Sequence, residues 1–222
     1  MNDFNGKRVV VTGAAGVVGR AVADAFHLAN ADVTGIDIVE AESPYRSIVA
    51  DLIDPEDARR AAGEAGHIDV LANIAGGFTM GETVAETSDE TWDFMFNLNA
   101  RTVLNMARAV VPGMRDRGAG RIVNIGARAG LRGAGAMGAY CASKSVVLRL
   151  TESLADELKA SGINVNCILP SIVDTPRNRE DMPKADFSKW VRPDQIASVV
   201  MFLASDAASA IHGASIPVEG LS

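Results

Sequence analysis

The sequence predicts an α/β protein: a single doubly wound domain over residues 1–222, with about seven parallel strands and helices on both faces. Three observations carry this. Short apolar runs alternate with longer helical patterns from end to end, as a parallel sheet covered on both faces requires. A glycine-rich stretch, Thr12-Gly-Ala-Ala-Gly-Val-Val-Gly19, divides the first apolar run from the first helical pattern. No linker-like segment or internal repeat interrupts the alternation.

Each element has its own signal. Residues 7–12, with the apolar run Val9–Val11, read as a strand buried on both sides. Residues 16–29 form a helix, with Ala21, Val22, Ala25, Phe26 and Ala29 at helical spacing. Strands come next at 32–37 and 47–50. Asp54-Pro55 is an N-cap with proline at the first helical position, opening a helix to about residue 64. A fourth strand occupies 68–74. Ser88 caps a long helix expected to end near residue 111, at Pro112-Gly113. Residues 121–125 are the fifth strand, 138–160 a long helix closed by Ser161-Gly162, and 163–169 the sixth strand. Residues 171–190, rich in Pro, Asp and Arg, read as loop. A helix at 193–204 and a strand at 214–218 complete the chain.

Composition narrows the function. A net charge of −7 argues against a nucleic-acid partner. No apolar run reaches the roughly 18–20 residues of a membrane span, and MNDFNGKRVVVTG lacks a signal-peptide layout, so a cytoplasmic protein without membrane contact is expected. Cys141 and Cys167 make neither a disulfide framework nor a metal site. His27, His67 and His212 lie singly, so no metal is expected.

The chemistry concentrates in two places. Tyr140-Cys-Ala-Ser-Lys144 puts a phenol and an ammonium four residues apart, on one face of a helix. Gly13, Gly16 and Gly19, with Val18 between the last two, form a side-chain-poor turn where a pyrophosphate can approach backbone N–H groups. Asp37 ends the second strand. A carboxylate there accepts hydrogen bonds from ribose hydroxyls and repels a 2′-phosphate, which selects NAD as cofactor. Asp51-Leu52 and Asn73-Ile-Ala75-Gly76 come after the third and fourth strands, where carboxyl-end loops line the ligand crevice.

Together these residues resemble the short-chain dehydrogenase/reductase family over nearly the whole chain. The shared features are the glycine-rich turn, Asp51-Leu52, Asn73-x-Ala75-Gly76, Asn99, Tyr140-x-x-x-Lys144, Pro170-Ser-Ile-Val-Asp-Thr175 and Val218-Glu-Gly220. The resemblance implies a Rossmann-type domain and hydride transfer between a nicotinamide and a small-molecule alcohol or carbonyl compound. Tyr140 would exchange a proton with the substrate oxygen. Lys144 would hold the nicotinamide ribose and lower the tyrosine pKa. Asn99 would bend its helix and position a water that relays protons to Lys144. Pro170 would contribute to cofactor binding, and Thr175 with backbone groups of Ile172 would bind the carboxamide. The resemblance also implies a homodimer or homotetramer.

Two departures shape the substrate question. The family's commonest glycine spacing would put a glycine at Val17, whereas here the middle glycine is Gly16. The family's catalytic serine falls at Ala127, and alanine cannot donate to a developing alkoxide. Arg128 offers a partial substitute or a site for an anionic substrate group, and Trp190 a pocket wall or a loop anchor. The turn, the alanine and the stretch 169–190 also resemble dihydropteridine reductases. This makes NADH-dependent reduction of a quinonoid dihydropterin, or a similar C=N substrate, the alternative. A catalytically weak NAD(H)-binding sensor is the second.

Overall fold

The computed structural model describes residues 4–222. Seven strands pair in parallel in the order β3-β2-β1-β4-β5-β6-β7. They are β1 Arg8–Thr12, β2 Asp32–Asp37, β3 Arg46–Val49, β4 Val70–Asn73, β5 Gly120–Ile125, β6 Ile163–Pro170 and β7 Ser215–Val218. The order reverses between β1 and β4. A crevice opens there at the carboxyl ends, the position at which doubly wound sheets take ligands.

Helices cover both faces. One core joins Val9, Val11, Val22, Phe26, Val123, Ile168 and Val200, packing helices α1 (Val17–Leu28) and α7 (Pro193–Ala204) on one face. The other joins Val10, Leu71, Met106, Met114, Ile122 and Leu158. It packs α2 (Pro55–Ala65), α4 (Thr102–Arg117) and α5 (Gly138–Leu158) on the opposite face. β4 and β6 are buried at every residue, which explains their lack of an exposed polar face.

The expected long helix from Ser88 differs from the structure in two ways. Ser88 does cap it, accepting from the Thr91 N–H. However, α3 (Asp89–Phe96) passes into a π-helical turn, Asn97–Arg101, before α4 begins. And Pro112-Gly113 does not end it. Pro112 lies inside α4, which runs to Arg117 and closes on Gly118 in the left-handed region (φ 65°). Tertiary burial of Val110 and Met114 on either side of the proline holds the helix together through it.

The 171–190 stretch is also more ordered than its composition suggests. Thr175 caps a short helix, α6 (Pro176–Asp181), through the Asn178 N–H, and Val173 bridges Val191. No helix of the described residues is long and apolar enough to cross a membrane.

Candidate active site

The glycine-rich turn is shaped by close backbone approaches. Gly13 takes a positive φ of 67°, and a Cβ there would lie 2.8 Å from the Ala75 Cα. A Cβ on Gly19 would lie 2.0 Å from the Gly13 carbonyl oxygen, so only glycine closes this turn. Gly16 is the N-cap of α1 and has no side-chain cap. The first-turn amides of Val17, Val18 and Gly19 therefore face the crevice without an intrahelical partner. Val17, where the commonest spacing has glycine, is the first helical residue, 45% exposed, so its side chain costs the turn nothing.

Two side chains tie this turn to its neighbours. Asp37 accepts the Ala15 N–H at 2.9 Å through Oδ2 and the Ile38 N–H at 2.7 Å through Oδ1. Thr12 Oγ1 accepts the N–H groups of both Ile74 and Ala75, at 3.0 and 3.1 Å, and so seals β1 to the loop after β4 at the switch point. The motif spacings do not single out Thr12. Its place directly before Gly13, at the end of a buried strand, is the available signal.

Residues expected along the crevice divide into those that face it and those that support it. Asp51 Oδ1 accepts the Ile53 N–H in its own turn. Leu52 is buried, and its carbonyl accepts from Asn105 Nδ2. Asn73 turns inward. It is 2% exposed and donates its amide to Asn124 Oδ1, and Asn124 donates in turn to Thr151 Oγ1 on α5. Its side chain thus links β4, β5 and α5 instead of meeting a ligand.

The Tyr140 face of α5 gathers the reactive groups. Asn99 sits in the π-helical turn, 1% exposed. Its Oδ1 accepts the Gly77 N–H at 3.0 Å, and its Nδ2 donates to Gly77 O and to Ser143 Oγ, both at 3.1 Å. Ser143 Oγ in turn donates to the Tyr140 carbonyl at 2.9 Å. A Cβ on Gly76 would lie 2.8 Å from Asn99 Oδ1 and 3.1 Å from Lys144 Nζ, so these two groups converge over a position that glycine keeps open. The bent helix expected around Asn99 is present as the π turn, a feature that recurs at functional sites.

One electrostatic expectation is overturned. Lys144 does not lower the Tyr140 pKa in this structure. Lys144 Nζ donates to the Ile125 carbonyl at 3.1 Å, and burial pushes the Tyr140 phenol up to about 12. Phe78 packs edge-on against the phenol ring, with centroids 4.8 Å apart. Burial also lowers Lys144 to about 8, partly offset by Cys167. Desolvation by burial is the largest cause at both groups.

On the substrate side, Ala127, 5% exposed, stands at the start of a short 3₁₀ turn, Arg128–Leu131. Arg128 is turned away as a donor for the site: it pairs with Glu219 Oε1 at 3.2 Å and donates to the Ser222 carbonyl oxygen at 3.2 Å. Trp190 is a loop anchor and not a pocket wall. It is 5% exposed, with its ring 4.7 Å from that of Phe187. Pro170 ends β6 and is buried. Thr175 Oγ1 is occupied as the α6 cap, and the Ile172 carbonyl accepts the Val191 N–H. Among the described residues no cluster of three or more potential metal ligands occurs.

The geometry combines a glycine-rich turn at the switch point with a phenol and a buried lysine on the helix that faces it. Residues 7–186 match the family model for short chain dehydrogenases. The chain belongs to the short-chain dehydrogenase family. It is 33% identical to 2-dehydro-3-deoxy-D-gluconate 5-dehydrogenase of Escherichia coli (strain K12), over 98% of this chain and 96% of the relative. It is 32% identical to dehydrogenase/reductase SDR family member 6 of Rattus norvegicus, over 99% and 98%. Among solved structures, it superposes with a TM-score of 0.90 on a putative NAD(P) dependent gluconate 5-dehydrogenase from Beutenbergia cavernae with NADP bound at low occupancy. That pair is 30% identical over 98% of this chain and 97% of the other. Membership in the short-chain dehydrogenases makes the chain a dehydrogenase/reductase that works with a nicotinamide cofactor.

Proposed function

We propose that this short-chain dehydrogenase is NAD(H)-dependent and interconverts a small-molecule alcohol and its carbonyl compound, with Tyr140 moving the proton. The carrying observation is that Asn99 and Lys144 converge over Gly76, with Tyr140 one helical turn before Lys144 on α5. The turn fits a dinucleotide: its free first-turn amides suit a pyrophosphate, and the cradle at Gly13 and Gly19 is one a Cβ would fill. The nicotinamide, when bound, supplies or takes the hydride.

The chain's own groups do the rest. At neutral pH Tyr140, raised to about 12, is fully protonated and serves as the acid that donates to the substrate oxygen during reduction. Lys144, at about 8, carries most of its charge at pH 7 and would hold the nicotinamide ribose. Asn99 holds the Gly77 backbone in place and orients the proton path toward Lys144.

Asp37 supports NAD over NADP. Its carboxylate sits at the end of β2, where it would accept from ribose hydroxyls and repel a 2′-phosphate. The acidic chain fits a small-molecule substrate without nucleic acid, and a homodimer or homotetramer is the proposed assembly.

Ala127 favours a second reading: reduction of a quinonoid dihydropterin or similar C=N compound, which needs less polarisation than a ketone. A sensor that binds NAD(H) without turnover is the third. Oxidation of NADH and NADPH with ketones, aldehydes and quinonoid dihydropterin separates them. Turnover on carbonyls with NADH supports the first reading, turnover on the pterin alone the second, and NADH binding without turnover the third. Tyr140→Phe should lower kcat by ~10²–10⁴-fold while leaving NADH binding intact. Retained kcat would overturn the role of Tyr140.

A further inference from the structure

A small cavity of about 90 Å³ adjoins Tyr140, between the loop after β4 and the approach to α5. Its polar lining comes from Thr79, Glu82, Thr87 and Thr91, and its apolar lining from Met80 and Met137. At roughly 30 Å³ per water, it admits about three waters, or the two or three hydroxyl-bearing carbons next to a reacting centre.

The loop is fixed in this position by contacts the sequence makes possible. The Gly81 N–H donates to the Ala136 carbonyl at 2.8 Å, and Ala136 adopts a positive φ of 58°. A Cβ on Gly138 would lie 2.8 Å from Val84 Cγ2, so glycine there lets the loop close over the start of α5.

The polar groups in the cavity are under-used. Glu82 accepts from Thr91 Oγ1 at 3.3 Å and from the Ser88 N–H at 3.4 Å, both long, which leaves most of its four acceptor sites open. Among the described residues the Thr79 hydroxyl has no protein partner. The Thr87 hydroxyl donates to the Thr83 carbonyl and keeps its acceptor lone pairs. No arginine or lysine lines the cavity, and the nearby Arg128 is held by Glu219.

We propose that Glu82, with Thr79, Thr87 and Thr91, forms a subsite for the hydroxyl groups of an uncharged polyhydroxylated substrate such as a ketose or polyol. This rests on the alcohol/carbonyl reading above and names its substrate class. A carboxylate accepts from sugar hydroxyls through charge-assisted bonds and repels a carboxylate or phosphate on the substrate. The subsite therefore selects against sugar acids, although gluconate chemistry appears in the names of similar proteins.

The test compares kcat/KM for an uncharged ketose, its deoxy counterpart lacking the hydroxyls beside the carbonyl, and a sugar acid of the same length. Wild type should rank the ketose first. Glu82→Ala should cut the ketose-to-deoxy ratio by about 10- to 100-fold. Glu82→Gln, which keeps one acceptor and the side-chain volume, should fall between the two. Unchanged melting temperature and NADH binding show that each variant is folded. A ratio unmoved by both substitutions, or a wild-type preference for the sugar acid, overturns the subsite while leaving the dehydrogenase reading intact. Absence of NADH oxidation with every carbonyl compound overturns the dehydrogenase reading itself. In that case the melting-temperature shift of NADH-loaded protein with a polyol decides the subsite: a shift lost in Glu82→Ala supports it, and no shift in wild type overturns it.

Discussion

The two walls of the crevice are made of different material. On the β1–β2 side the contacts are backbone against backbone, with Gly13 and Gly19 at distances that exclude any side chain. On the β5–β6 side and in the loop after β4, the surface consists of side chains: Ala127, Phe78, Glu82 and the threonines beside it. The first wall cannot vary without reopening the turn. The second changes one side chain at a time while the sheet beneath stays fixed. A family that keeps one cofactor chemistry and serves many substrates needs this division.

Substitutions on each wall test the contrast. Gly19→Ala should have the largest effect in this set, since the new Cβ meets the Gly13 carbonyl oxygen and forces the turn open. NADH affinity, measured by fluorescence, should fall by about 100-fold or more. Near-normal affinity would mean the turn is not rigid, and the contrast would collapse. Ala127→Ser should do the opposite on the other wall, raising kcat/KM for simple ketones by about 10- to 100-fold through a restored hydrogen bond to the developing alkoxide. No gain would show that this wall is not adjusted by single side chains.

Asp37→Ala bridges the two walls because its side chain braces the turn and, in the proposed reading, would meet the ribose. The NADH-to-NADPH ratio of kcat/KM should drop about tenfold. An unchanged ratio would leave Asp37 as a brace for the Ala15 amide only. The smallest effect is in pH. In the proposed mechanism reduction needs protonated Tyr140, satisfied below about 12, and charged Lys144, satisfied below about 8. kcat/KM for reduction should therefore fall above pH 8 by up to tenfold per unit, and Lys144→Arg should remove that limb. A limb that persists in Lys144→Arg would assign it to another group.

The same contrast explains what could be read from the sequence. The sheet was legible because buried parallel strands have no polar face to hide: β2 and α7 fall at 32–37 and 193–204, the spans expected from pattern alone. Tyr140, Lys144 and the glycine turn were legible because their spacing is itself the geometry. Side-chain direction was not. Asn73 and Arg128 sit at the positions expected, but one turns into the sheet and the other to Glu219. Pro112 misled because the burial of Val110 and Met114 outweighs the lost helical hydrogen bond. Glu82 and Thr79 carried no signal, since their loop has no periodicity.

The π-helical turn at Asn97–Arg101 has a consequence beyond the site. Each residue inserted into a helix rotates the downstream turns by about 100°. The extra residue therefore sets the phase of α4 separately from that of α3. Trp92 and Phe94 remain half exposed on α3, while Val103, Met106, Val110 and Met114 on α4 fall against the sheet. Deleting one residue here would restore an unbroken helix and swing that stripe a quarter turn toward solvent. The irregularity that presents Asn99 to Gly77 and Ser143 also indexes half of the hydrophobic core. Chemistry and foldability thus share one insertion, and neither can be altered there alone.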